Sequence, residues 1–275
     1  MPVRNGGAML VAAVESILAQ AESDWEMIFS DNCSEDGTSS YIQDLAARDP
    51  RIIYVRHDSP MTAYDNFRYV VSRARGTYFM WAAHDDTRDP SFIAEAARAL
   101  DADPSAVLAF GDLFITNPEN MLGVRKKFDF STQGKGLVAR LIKASGLQCY
   151  HIYGLWRTSA ARAIPDAYCQ WWPDLAVMMA GSCLGPFLYV PGISFYYYEI
   201  PKTGLERVVY QDLGSSFNLV HAAYRLFVAA YLATARLKGP MVGWLAVGLI
   251  FRKLVREFPG FVRVRLCARI RSRFA

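Results

Sequence analysis

Over its first 115 residues the chain switches repeatedly between helical spacing and short apolar runs, a pattern that only a layered α/β fold accommodates. Leu10, Val14, Ile17 and Leu18 fall at i, i+4, i+7 and i+8. Ala63, Phe67, Val70, Val71 and Ala74 repeat that spacing, so both stretches predict amphipathic helices with one buried stripe. Apolar runs at residues 25–30, 52–56, 77–82 and 106–110 predict strands between and after them. Alternation of this kind implies a mostly parallel sheet flanked by helices on both faces. With 275 residues, 52% of them apolar and 20% charged, the chain can bury such a core, which excludes a disordered protein.

Two of those runs end in acids. Residues 77–83 lead to Asp85 and Asp86, and residues 25–30 lead to Asp31. Open α/β sheets bind ligands at the carboxyl ends of their strands, and paired carboxylates there suit a hard divalent cation beside a phosphate. Metal-assisted chemistry on a nucleotide is the leading reading. A loop acid or a helix cap is the commoner fate of any one such residue, Asp36 included, but three strand-end acids on one rim outweigh each alone. His84 reads as a spacer, because Mg²⁺ prefers oxygen donors.

These residues resemble a family. Pro2-Val3-Arg4-Asn5-Gly6-Gly7, Glu15-Ser16-Ile17-Leu18-Ala19-Gln20, Asp31-Asn32-Cys33-Ser34-Glu35-Asp36-Gly37-Thr38, Ala74-Arg75-Gly76-Thr77-Tyr78 and His84-Asp85-Asp86 occur in the order found in family 2 glycosyltransferases of the GT-A fold. The resemblance is specific to about residue 115, weaker to Tyr198 and absent beyond. It implies a GT-A domain over residues 1–205 and a C-terminal amphipathic, basic helical region over 206–275. By the same resemblance, Asp31 bonds the nucleotide base, and Pro2, Val3 and Asn5 belong to the loop over the nucleoside. Asp85 and Asp86 would be the metal-site acids, with Asp86 the direct ligand of Mg²⁺ or Mn²⁺ and Asp85 beside the diphosphate. The late acidic motif falls at Asp174, after Trp171-Trp172-Pro173, and implies a base for the acceptor hydroxyl; read alone, a helix-start acid there is a cap. Apolar neighbours at that helix start would raise its pKa toward working pH.

The implied activity is inverting transfer of a sugar from a nucleotide donor, a UDP-sugar foremost, to a glycan or lipid-linked hydroxyl in surface polysaccharide synthesis. Gly154-Leu155-Trp156-Arg157 resembles the segment that precedes the base, leaving Arg157 either a phosphate contact or a surface charge. Tyr150, His151 and Tyr153 read as core or pocket wall. Two departures stand out. The family opens on an apolar strand before its Pro-x-x-Asn loop, whereas this chain opens at Met1-Pro2, so that strand is expected to be missing and its neighbours unpaired. Relatives also carry an arginine and a histidine after the last strand, where this chain has Tyr198 and then Lys202. A sugar nucleotidyltransferase would need a Gly-rich, lysine-bearing signature that Gly6-Gly7 does not supply, and a degenerate, non-catalytic nucleotide-sugar-binding protein is the stronger alternative.

The net charge of +4 is unevenly spread. From Arg252 onward eight basic residues face Glu257 alone, a tail of +7 that leaves −3 for the remainder. Before it lie eleven uncharged residues, 241–251, too short to span a bilayer, which takes about 20. Two readings stand for this segment: a helix lying on an anionic membrane surface, or a core-packed helix with a solvated arginine face. The five cysteines show no CxxC spacing, and residue 1 is not followed by a basic and then apolar leader. A reduced, cytoplasmic chain on the inner face of a membrane is expected. No nucleic-acid recognition motif accompanies the arginines.

Overall fold

In a computed structural model of the chain, which describes residues 1–117, 120–126, 130–146, 149–165, 173–199 and 216–257, the alternation is realised element by element. The order is β1 (Pro2–Val3), α1 (Met9–Leu18), β2 (Met27–Asp31), α2 (Thr38–Arg48), β3 (Ile52–Arg56), α3 (Ala63–Arg73), β4 (Tyr78–Met80), β5 (Thr87–Arg88), α4 (Phe92–Ala102), β6 (Leu108–Asn117) and β7 (Asn120–Lys126). There follow α5 (Leu137–Ser145), β8 (Leu155–Arg157), α6 (Thr158–Ala163), α7 (Pro173–Leu184), β9 (Phe187–Tyr198), α8 (Ser216–Lys238) and α9 (Pro240–Glu257). These elements divide into two units that interleave along the chain.

The first unit, residues 1–134, 150–163 and 185–200, holds all the strands found among the described residues. β1, β2 and β3 form a parallel sheet in the register Val3↔Asp31↔Arg56. A second sheet runs β4-β8-β6-β9-β5 with β7 on β6; β6 and β9 are parallel and the other pairs antiparallel. The stripe read from α1 is buried, with Leu10, Ala13, Val14 and Ile17 packed on Phe29, Ile42 and Ile52. Burying such a stripe, at about 1.5–3 kcal/mol per large side chain, is what fixes each helix to its sheet.

The expectation of a missing first strand is corrected. Met1 N donates to Ile28 O (2.6 Å), Ser30 N to Met1 O (3.0 Å) and Asn32 N to Val3 O (2.8 Å). Three residues satisfy the edge of β2, so its backbone groups are not left unpaired there. On the other flank β4 pairs with β8 and not with β1, so the sheet is divided at that point.

The second unit, residues 135–149, 164–184 and 201–275, is helical. α5 packs on α7 and α9, α7 on α8, and α8 on α9, around Leu141, Met178, Met179, Ala230, Ile250 and Leu254. Gly239 joins α8 to α9 with φ +90°, a left-handed C-terminal conformation that a side chain would strain, and its N–H closes on Ala235 O at 2.8 Å. The expected boundary at 205/206, Trp171, Trp172, Lys202 and the arginines from 263 onward lie outside the described residues.

Candidate active site

The ends of β1, β2 and β4 share a rim, because Val3, Phe29 and Ala82 belong to one core cluster with Met80 packed against it. Asp31 closes β2 with its side chain completely buried. Its Oδ1 accepts Ser34 N (2.8 Å), and its Oδ2 accepts Ser39 Oγ (2.6 Å), Tyr54 Oη (2.9 Å) and Arg56 Nη1 (3.2 Å). Burial pushes the Asp31 pKa up, but the bonds from Ser34, Ser39 and Tyr54 outweigh it and hold the carboxyl below its ordinary value.

Two loops over this strand end are stitched together. Asn5 N donates to Ser34 Oγ (2.9 Å), Glu35 N to Asn5 Oδ1 (2.9 Å), Gly6 N to Thr38 Oγ1 (2.8 Å) and Gly7 N to Asp36 Oδ2 (3.2 Å). Asn5 (φ 52°) and Cys33 (φ 58°) both sit in the left-handed region, strain that persists only where surrounding bonds enforce it. Asp36 also accepts Thr38 N (3.0 Å), a local turn ahead of α2, whose N-cap is Gly37 with no side-chain cap bond, so Asp36 is a loop acid and not the helix cap. Pro2 and Val3 are buried in β1 beneath these loops.

Asp85 and Asp86 lie in the segment between β4 and β5. Asp85 is half-buried. Asp86 is 1% exposed; its Oδ1 accepts Tyr198 N (2.9 Å), and its Oδ2 is buried without a partner among the described residues. Burial, followed by the charge of Asp85, pushes the Asp86 pKa up to about 7, against the pull of the Tyr198 N–H and Arg88.

Arg88, which the sequence reading passed over, is equally buried. Its Nη2 donates to Trp81 O (2.9 Å) and Tyr153 O (3.3 Å), closing the 81–88 segment on itself, and its guanidinium carbon lies 4.9 Å from the Phe195 ring. Nε and Nη1 have no partner among the described residues, and burial lowers the Arg88 pKa to about 10. Nothing in the sequence marks it, since its partners are backbone carbonyls.

A shallow pocket beside Arg88 is lined by Phe92, Asp112, Tyr150, His151, Tyr153 and Phe195, so the three ring residues expected as wall are wall. Arg157 is neither of its expected alternatives. Its guanidinium donates to Leu100 O (2.5 Å), Asp103 O (3.3 Å) and Ala106 O (2.8 Å), capping the carboxyl end of α4. Gly154 before it is set by contact, because a Cβ there would meet Ala109 O at 2.6 Å. In the second unit, Asp174 occupies the first turn of α7 behind Pro173. Its surface is only partly covered, yet burial of the carboxyl raises its pKa to about 6.

The donor set fits a hard divalent cation as a pair of acids and not as a closed cage. No group of three or more His, Cys, Asp or Glu residues converges among the described residues, while the buried Asp86 Oδ2 beside Asp85 has no hydrogen-bond partner there and is an acceptor that a cation would satisfy.

The sheet topology and this carboxylate rim define an α/β protein of the GT-A class. Two solved structures share the fold: S. aureus TarS 1-349 in complex with UDP (TM-score 0.63, 13% identity, 93% of this chain and 70% of that one) and the mannosyltransferase PcManGT from Pyrobaculum calidifontis in complex with GDP-Man and Mn²⁺ (TM-score 0.56, 14% identity, 98% and 78%). The chain belongs to glycosyl transferase family 2, whose family model matches residues 1–148. Among curated proteins it is similar to WcaA of Escherichia coli (strain K12), provisionally named as a colanic acid biosynthesis glycosyl transferase, at 32% identity over 91 residues, 33% of each chain. TuaG of Bacillus subtilis (strain 168), provisionally named for teichuronic acid biosynthesis, is 33% identical over 87 residues, 31% of this chain and 34% of that one. The matched span covers about a third of each of these relatives.

Proposed function

We propose that the protein is an inverting, metal-dependent glycosyltransferase that moves a sugar from a nucleotide donor, a UDP-sugar, to a hydroxyl of a glycan or lipid-linked acceptor in cell-envelope polysaccharide synthesis. The observation that carries this reading is the orphaned, fully buried Asp86 Oδ2 beside Asp85 at the carboxyl edge of a GT-A fold. A carboxylate kept there without a partner costs stability, and a bound cation offsets that cost.

In this reading Asp85 and Asp86 would hold Mg²⁺ or Mn²⁺, which would supply Lewis acidity toward the leaving diphosphate. Asp31 accepts from the base, while Pro2, Val3 and Asn5 wall the nucleoside. Asp174 takes the proton of the acceptor hydroxyl, whose oxygen then bonds the anomeric carbon as the bond to the diphosphate oxygen breaks; a single displacement inverts that centre. A carboxyl with its pKa near 6 is mostly ionised at neutral pH and still basic enough for this role. The setting proposed is the cytoplasmic face of a membrane.

The test is a donor screen that reads release of the nucleoside diphosphate with Mn²⁺ present. Release from one UDP-sugar, abolished in Asp86→Ala and by chelation, is expected. Release that persists in Asp86→Ala contradicts the metal assignment, and no release with any donor and acceptor favours a binding protein that has lost catalysis.

A further inference from the structure

The α8–α9 hairpin of the second unit inverts the usual surface pattern. From residue 216 to 256 there is no Asp or Glu, against Arg225, Arg236, Lys238, Arg252, Lys253 and Arg256. One side of α9, with Ala246, Leu249, Ile250 and Leu254, is buried. The opposite side follows the spacing i, i+3, i+7, i+10 from Met241 through Trp244 and Gly248 to Phe251, and it should be polar on a surface helix. It is apolar: Met241 is 85% exposed, Trp244 67% and Phe251 44%.

α8 extends the face. Val228 and Leu232, each 38% exposed, sit beside Phe227 and Tyr231, whose rings meet Phe251 (6.3 Å) and Trp244 (5.2 Å). Single exposed apolar residues are ordinary, whereas a continuous row across two helices marks an interaction surface. Its edge is cationic, with Arg252 and Arg256 exposed. Of the two sequence readings of residues 241–251, the core-packed one holds for the buried side, while the opposite side is apolar and not a solvated arginine face.

Charge selects the occupant. A second copy of the chain would set two basic hairpins, each with Glu257 at its end as the one acid, against each other, and like charges oppose that pairing. An anionic bilayer is complementary to both parts of the face, apolar side chains to the acyl boundary and arginines to the phosphates. Among the described residues no helix is long and apolar enough to cross a membrane, so the hairpin lies in the plane of the surface. We infer that α8 and α9 dock on an anionic phospholipid surface through Val228, Leu232, Met241, Trp244 and Phe251, with Arg252 at the headgroups. The inference deepens the acceptor side of the proposed transfer by bringing the enzyme to a lipid-borne hydroxyl; the lipid contact itself stands without the transfer chemistry.

Flotation of the full chain, without nucleotide, on phosphatidylcholine vesicles with and without phosphatidylglycerol tests it. Binding is expected only where phosphatidylglycerol is present, and it weakens as NaCl rises from about 0.05 M to about 0.5 M. The double variant Trp244→Asp/Phe251→Asp, with folding checked by its helical circular dichroism and by retained UDP–Mn²⁺ binding, should bind at least about tenfold more weakly. Equal binding by this variant, or equal binding to neutral vesicles at every salt concentration, overturns the inference. So does a wild-type dimer that the double variant dissociates while neither form binds vesicles, an outcome that makes the face a self-interface. UDP–Mn²⁺ binding by the same samples is read separately, so that failure of the donor reading and failure of the lipid reading are distinguishable.

Discussion

Asp31 and Asp86 are two buried carboxylates on one rim, and the fold treats them in opposite ways. Four donors converge on Asp31 and hold its pKa below the ordinary value. Asp86 receives one backbone N–H, keeps one oxygen orphaned, and has its pKa pushed up to about 7. Equal burial with unequal satisfaction separates a carboxylate already held by neighbouring donors from one kept at a cost, and the second kind is where a bound cation has most to offer. Asp174, raised to about 6 by burial alone, falls with Asp86.

The largest expected effect tests whether Asp174 belongs in that class. Asp174→Asn keeps the shape but cannot accept a proton, so transfer should fall by about 10² to 10⁴ while donor affinity stays within twofold or so. The wild-type rate should fall as pH drops through about 6, where Asp174 becomes protonated. A loss confined to donor binding would make Asp174 a helix cap.

Next comes the satisfied member of the pair. Asp31→Ala strips the acceptor from buried Ser34 N and from Ser39 and Tyr54, and should cost about 3 kcal/mol or more in urea unfolding. A cost below about 1 kcal/mol would show that the bonds around Asp31 are replaced by water.

Asp86→Asn should act with the opposite sign. A carboxyl whose pKa is raised on folding contributes stability at pH below its unfolded value, near 4, and loses it as pH rises toward about 7. At pH 7.5 without metal the variant should therefore be more stable, by on the order of 1–3 kcal/mol, with the gain vanishing near pH 4. Destabilisation at both pH values would mean that Asp86 is as fully satisfied as Asp31. The smallest effect is expected at Asp36→Ala, about 1 kcal/mol from the lost bonds to Thr38 N and Gly7 N, with nucleotide affinity reduced only modestly.

The difference between the two acids also shows what the sequence could convey. Apolar spacing announced α1, α3 and β3 nearly to the residue, because burial of one stripe imposes a period on the residues themselves. Both strand-end acids were legible from position. Their opposite satisfaction was not, since it depends on Tyr54 from the next strand and on the backbone of Tyr198, 112 residues away. The same holds for Arg88 and Arg157, whose partners are carbonyls that every residue carries. The pairing of β6 with β9, between segments about 80 residues apart, left no local signature either. The first strand was misread because three residues are too few to show a pattern but enough to make three ladder bonds.

Titration calorimetry of UDP with and without Mn²⁺, on the wild type and on Asp85→Asn, Asp86→Asn and Asp31→Asn, tests the central claim most directly. The account predicts Mn²⁺-dependent binding by the wild type and no metal dependence in Asp85→Asn or Asp86→Asn. It also predicts that Asp31→Asn binds UDP more weakly yet still requires the metal. UDP binding indifferent to Mn²⁺, or Mn²⁺ dependence that survives in both Asp85→Asn and Asp86→Asn, would contradict it.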